Sequence, residues 1–161
     1  MLVLIAWLRC LHTNDSISTI TRLLNMGVAN FLITSSLILI ISQRLGRRIC
    51  QKCKIIDDVP SHILIKLGFS EQEALRSVLY KGAGCTGCSN KGTKGRVGLY
   101  ELLKMTDGLK SLILSNKTAS ELKEYAIEKD GFKTLEDTGK RLLIEGVLSI
   151  DEYQRILSVE I

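Results

Sequence analysis

Two Cys-x-x-Cys pairs, Cys50-Gln-Lys-Cys53 and Cys85-Thr-Gly-Cys88, constrain this chain more than any other feature. Two-residue spacing lets both thiolates of a pair turn toward one point, so two pairs supply the four tetrahedral sulfurs that a structural zinc ion takes. The second pair sits in Lys81-Gly-Ala-Gly-Cys-Thr-Gly-Cys-Ser-Asn-Lys-Gly92, where glycines permit the positive φ angles of a tight knuckle. Residues 54 to 84 separate the pairs, 31 residues against the 15–20 of the common zinc pattern. That gap can fold as its own excursion, with a short helix over Ser70–Tyr80. Two disulfides, or four unrelated buried thiols, are the alternatives on spacing alone, and disulfides need an oxidising compartment for which nothing in the sequence argues. A closed four-cysteine site leaves no open position for water or substrate, so zinc held here is structural.

Charge divides the chain unevenly. Residues 1–54 carry seven Lys/Arg (Arg9, Arg22, Arg44, Arg47, Arg48, Lys52, Lys54) against one acid, Asp15. The remainder carries fifteen against sixteen, which points to different partners for the two parts. The cluster Arg44, Arg47, Arg48, Lys52 and Lys54 flanks the first cysteine pair. It reads as a solvated face that also offsets the negative charge of a four-thiolate zinc site. Contact with an acidic partner or with phosphates is the sharper alternative. No aromatic residue is interleaved with the cluster, which argues against a stacking surface for single-stranded nucleic acid. Met1–Leu8 is apolar but lacks a basic residue ahead of it, unlike a signal peptide. Phe31–Ile41 is 11 residues long, short of the ~20 that cross a bilayer. Both read as buried elements, a strand at the start and a strand or helix at 31–41, in a soluble cytoplasmic chain without a transmembrane segment.

Three parts follow along the chain. Residues 1–48 have the strand–turn–helix order of a layered α/β domain: an apolar run to Leu11, the polar turn His12–Ser16, then a helix with Ile20, Leu23 and Leu24 on one face. Asp15 or Ser16 caps that helix and Gly27 closes it. A chain that opens on an apolar strand with few sheet neighbours reads as a domain entered midway. Residues 49–103 form the metal region and end in a strand over Lys94–Leu103. Residues 104–161 form a helical subdomain, with capping boxes at Thr118-Ala-Ser-Glu121 and Ser149-Ile-Asp-Glu152 and C-caps at Gly131 and Gly146. Cys10, the fifth cysteine, has no partner at knuckle spacing and reads as a buried thiol.

In order along the chain, Leu11-His-Thr-Asn-Asp15, Ile20-Thr-Arg-Leu23, Met26-Gly-Val28, Phe31-Leu-Ile33, Gln43-Arg-Leu45 and Arg47-Arg-Ile-Cys50 resemble the second half of a type II secretion or type IV pilus assembly ATPase. Gly84-Cys-x-x-Cys88 leading into Lys94-Gly-Arg-Val-Gly-Leu-Tyr-Glu101 resembles the same family, and the likeness covers roughly residues 8 to 157. The resemblance implies the C-terminal part of a RecA-like α/β core with a tetracysteine zinc-binding excursion and a helical C-terminal subdomain. It implies a hexamer at the inner membrane, in contact with the platform protein of a secretion or pilus machine, with ATP and Mg as cofactors of the full-length protein and no nucleic acid. His12 and Thr13 match the family's histidine motif, which lies near the nucleotide γ-phosphate. Arg22 and Arg44 also match family positions, where a solvated or salt-bridged arginine on a helix is the simpler reading.

The sequence departs from the family in a way that bears on activity. No GxxxxGK[ST] string occurs in it, the loop whose backbone N–H groups and lysine hold nucleotide phosphates. The family's acidic Mg-holding strand end is missing too. Both precede the histidine motif in family order, so the chain reads as a C-terminal fragment that does not hydrolyse ATP alone. Two other readings stand beside it: a free-standing zinc module that binds nucleic acid or an acidic partner through the basic cluster, and the remnant of a broken gene.

Overall fold

The computed structural model describes residues 15–157, which contain both helices and strands. Asp15 N-caps α1 (Ser16–Asn25), its carboxylate accepting from Ser18 N–H at 2.6 Å. Met26 is the C-cap, and Gly27 follows at φ +81°. Helix α2 (Asn30–Ser36) leads into strand β1 (Leu39–Ile49). Strand β2 (Lys54–Asp57), helices α3 (Ser61–Lys66) and α4 (Glu71–Arg76), and strand β3 (Leu79–Gly82) lie between the cysteine pairs. A 3-10 turn at Thr86–Cys88 precedes strand β4 (Thr93–Lys104). Helices α5 (Asp107–Leu114), α6 (Ala119–Asp130), α7 (Leu135–Ile144) and α8 (Ile150–Leu157) complete the described chain.

There are two two-stranded sheets. β1 pairs with β4, and β2 pairs antiparallel with β3 in the register Lys54↔Gly82, Ile55↔Lys81, Ile56↔Tyr80 and Asp57↔Leu79. That register explains why the helix expected over Ser70–Tyr80 stops at Arg76. The Ser70–Glu73 capping box starts α4. Ser77 then turns to extended backbone (φ −78°, ψ 127°), so that Leu79 and Tyr80 meet β2 as a strand. Strand pairing overrides a local helical preference that six residues satisfy only weakly.

The described residues form two compact units, each discontinuous in sequence. Residues 103–132 join residues 15–40 in one; residues 41–102 and the last helices make the other. In the first unit Ile17 and Ile20 of α1, Leu109 and Ile113 of α5, and Leu122 and Ala126 of α6 share a core with Leu103, Met105 and Phe132. Asn30 secures the start of α2, its Nδ2 donating to Ile113 O at 3.0 Å and Asn116 Oδ1 at 2.7 Å. In the second unit Leu64, Leu67, Phe69 and Leu79 from between the cysteine pairs pack with Leu99 of β4 and with Leu142, Leu143, Leu148, Tyr153 and Ile156. The stretch 104–161 therefore supplies α5 and α6 to one core and α7 and α8 to the other.

Two expectations are corrected here. Phe31–Ile41 is not one buried element: it is divided between α2 and β1, and Phe31, Leu32, Ile38, Leu39 and Ile41 are exposed, while Ile33 and Ile40 turn inward. An apolar run says nothing about which side of a helix or strand finds a partner. Glu152 does not close a capping box on Ser149. Its carboxylate accepts the Arg47 backbone N–H of β1 at 2.5 Å and pairs with the Arg155 guanidinium. The box at Thr118–Glu121 forms as expected, and Thr134–Asp137 adds one at the start of α7. Among the described residues no helix is long and apolar enough to cross a membrane.

Candidate metal centre

The first cysteine pair occupies the turn between β1 and β2, and the second the 3-10 turn between β3 and β4. Two backbone hydrogen bonds bring the two turns together. Cys50 N–H donates to Gly92 O (2.9 Å) and Ala83 N–H to Cys53 O (2.9 Å), so each knuckle is braced by the other's flank. Within the second knuckle, Cys88 N–H and Asn90 N–H both donate to Cys85 O, at 3.1 and 2.9 Å. Ser89 and Asn90 take left-handed backbone, φ 52° and 58°, and Gly84 and Gly92 lie at φ 90° and 69°.

Contact between the two turns is tight enough to dictate residue type. A Cβ on Gly82 would lie 1.9 Å from Gly92 O, and one on Gly92 would lie 2.4 Å from Gly82 O. Both distances are far inside van der Waals contact, so only glycine lets the end of β3 and the entry to β4 pass each other.

All four sulfurs lie within 4.8 Å of one another. Cys50 and Cys85 are 3.9 Å apart, Cys53 and Cys88 3.9 Å, and Cys85 and Cys88 3.7 Å. A tetrahedron with metal–sulfur bonds of about 2.3 Å has edges of about 3.8 Å. The donor set thus fits a tetrahedral, thiophilic cation in size and chemistry. A disulfide requires about 2.04 Å, and all four cysteines are free.

Electrostatics favour the same occupant. Burial pushes the Cys53 thiol up to about 12, and hydrogen bonding among the neighbouring sulfurs adds to this. At Cys88 burial also acts upward, but backbone hydrogen bonds from Cys85 and Gly92 outweigh it and hold the thiol down at about 6. One thiolate is accommodated by the backbone; four at this spacing repel one another. A divalent cation removes that conflict by deprotonating the thiols it binds.

The basic cluster is less uniform than its sequence suggests. Lys54 leaves it, its Nζ lying 4.0 Å from the Tyr80 ring centroid and donating to Glu145 O at 3.4 Å. The Arg47, Arg48 and Lys52 side chains are exposed, and that of Lys52 lies against Gly87 of the second knuckle. Lys91, Lys94 and Arg96 are exposed just beyond the second knuckle, an addition that sequence order hid because 38 or more residues separate them from Lys52. Arg22 lies in the last turn of α1. Arg44 sits on β1 rather than on a helix. His12, Thr13 and Cys10 lie outside the described residues.

Residues 6–155 match the model of the family described as "Type II/IV secretion system protein". The chain belongs to that family. Among individual relatives, the type IV pilus assembly ATPase PilB of Myxococcus xanthus is 40% identical over 90% of this chain and 26% of its own length. The protein of the same name from Pseudomonas aeruginosa is 42% identical over 91% of this chain and 25% of its own length. The type II secretion system ATPase E of Vibrio cholerae is 36% identical over 91% of this chain and 28% of its own length. This member of the type II/IV secretion family thus spans about a quarter of the length of those relatives.

Proposed function

We propose that this chain is the C-terminal portion of a hexameric traffic ATPase that powers type IV pilus assembly or type II secretion. Its first part belongs to a RecA-like core, and Cys50, Cys53, Cys85 and Cys88 hold one structural zinc ion. The chain does not hydrolyse ATP alone. The observation that carries this reading is the match over residues 6–155 to pilus and secretion ATPases of which the chain covers a quarter, in a sequence without a phosphate-cradling GxxxxGK[ST] loop. Positioning and charge neutralisation of the phosphates, which supply most of phosphoryl-transfer catalysis, must then come from elsewhere in the motor.

In the assembled motor this portion works in the cytoplasm against the inner-membrane platform protein. His12 and Thr13, which match the family's histidine motif, serve the nucleotide there. The zinc joins residues 50–53 to 85–88 and contributes directly to folding, because four unliganded thiolates would repel.

Two measurements test the reading. The purified chain should contain one zinc ion and show no MgATP hydrolysis above background. A chimera of the Pseudomonas aeruginosa relative, with this chain in place of its matched segment, should hydrolyse ATP. A zinc-free chain that folds normally would remove the structural-metal part, and an inactive but soluble chimera the motor part.

A further inference from the structure

The β1–β4 ribbon has two faces of different character. One is packed: a Cβ on Gly46 would collide with Ile156 and Leu148, and Leu99 is fully buried. The other face follows from alternation along each strand. On β1 it carries Ile41, Gln43, Leu45 and Arg47, all exposed. On β4 it carries Arg96, Gly98, Tyr100 and Leu102. Gln43 Nε2 donates to Tyr100 Oη at 2.9 Å, which places both sets on the same side of the ribbon. The Tyr100 ring lies over Gly98, 2.6 Å from where a Cβ would stand.

This outer face is apolar in the middle and cationic at one end. Ile41 is 57% exposed, Leu45 50%, Tyr100 46% and Leu102 54%, with Arg47 and Arg96 beyond them toward the cysteine site. A two-stranded ribbon with one face in water normally carries polar residues there. Four large apolar side chains gathered on one face mark a surface that a partner covers. All of these residues belong to the unit containing residues 41–102.

We propose that this face docks the portion of the family's polypeptide that lies outside the matched quarter, through an apolar patch with an acidic rim. The length relation argues for that occupant: relatives that align over nine-tenths of this chain are about three and a half times as long. The charge pattern sets its chemistry, with carboxylates opposite Arg47 and Arg96. β1 and β4 each pair only with the other among the described residues, so the covering segment can meet the ribbon at an open strand edge as well as on its face. This inference rests on the motor reading above and adds to it the surface through which the chain joins the motor.

The test uses the same Pseudomonas aeruginosa chimera with Ile41→Asp and Leu102→Asp, singly and together. Each should lower ATP turnover at least tenfold, because a buried unpaired carboxylate disrupts an apolar contact. The same substitutions in the chain alone should leave its zinc content and thermal transition unchanged, since both side chains face solvent there. Hydroxyl-radical labelling of Tyr100 should fall at least fivefold on going from the chain alone to the chimera. An active chimera that tolerates both substitutions and leaves Tyr100 open to labelling overturns the docking surface while the motor reading stands. An inactive parent chimera overturns the motor reading itself. A dimer of the chain alone that Leu102→Asp dissolves would assign the face to a second copy and overturn the proposed occupant.

Discussion

At the scale of single residues, the cysteine site depends on glycines as much as on sulfur. The Gly82–Gly92 contact leaves no space for a methyl group, since a Cβ on Gly82 would overlap the Gly92 carbonyl. Backbone cannot swing aside as a flexible side chain can. Gly82→Ala should therefore force β3 and β4 apart and loosen the Cys50 N–H bond to Gly92 O that aligns the first knuckle with the second. The overpacking cost is about 3 kcal/mol, and zinc retention against a competing chelator should weaken in parallel. Gly95, also at positive φ (82°), has nothing within 4 Å of its Cβ position. Gly95→Ala should cost only its backbone strain, about 1 kcal/mol, and keep the metal. Thermal melts with metal titration compare the two; equal metal retention would show that the close approach does not organise the site. Cys85→Ser should release the zinc and unfold the paired strands between the knuckles. A variant that keeps both metal and melting transition would remove Cys85 from the ligand set.

At the scale of elements, Glu152 ties α8 to β1. Its side chain is 9% exposed, accepts the Arg47 backbone N–H and pairs with Arg155. The Arg155 contact, foremost, and the Arg47 N–H hold its carboxyl below the usual carboxylate range against the opposing effect of burial. A depressed folded-state value means the stabilisation is complete above the ordinary glutamate range, near pH 4.5, and is lost as pH falls toward and through the lower folded value. Glu152→Gln should cost about 2 kcal/mol at neutral pH, the worth of a hydrogen bond to a charged group. It should also flatten the wild-type loss of stability below pH 4.5. Urea melts from pH 7 to pH 3 decide the matter, and parallel wild-type and variant curves would mean the carboxylate contributes nothing as an ion. Sequence order pointed Glu152 at Ser149 because Ser-x-x-Glu is a local signature. The tertiary partner won because β1 brings Arg47 N–H to the same carboxylate. Caps without such a competitor, at Asp15 and at Thr118–Glu121, were legible for the same reason: everything they need lies within four residues.

At the scale of the molecule, legibility fell off with sequence distance. The four cysteines were readable as one site because their spacing encodes convergence. The division of the C-terminal helices between two cores was not, because α6 and α7 are joined by a short turn and both carry ordinary apolar faces. What separates them is packing against partners far away in sequence, Ile20 of α1 for Leu122 and Leu99 of β4 for Leu143. The exposed side of the β1–β4 ribbon was hidden likewise, since an apolar strand looks the same whether or not its second face is covered. This division has a consequence for metal removal. All four cysteines belong to the unit containing residues 41–102, whereas α1, α5 and α6 have a core that includes none of them. Stripping the proposed zinc should therefore expose the amides of 54–57 and 79–82 to hydrogen exchange, because the knuckles at both ends of the β2–β3 pair would lose their common anchor. Amides in α5 and α6 should keep their protection, held by Leu109, Ile113, Leu122 and Ala126. Exchange measured peptide by peptide across a chelator titration separates the outcomes. Loss of protection in α6 at the chelator concentration that opens β2 and β3 would mean that the metal supports both cores, and the two units would then fold as one.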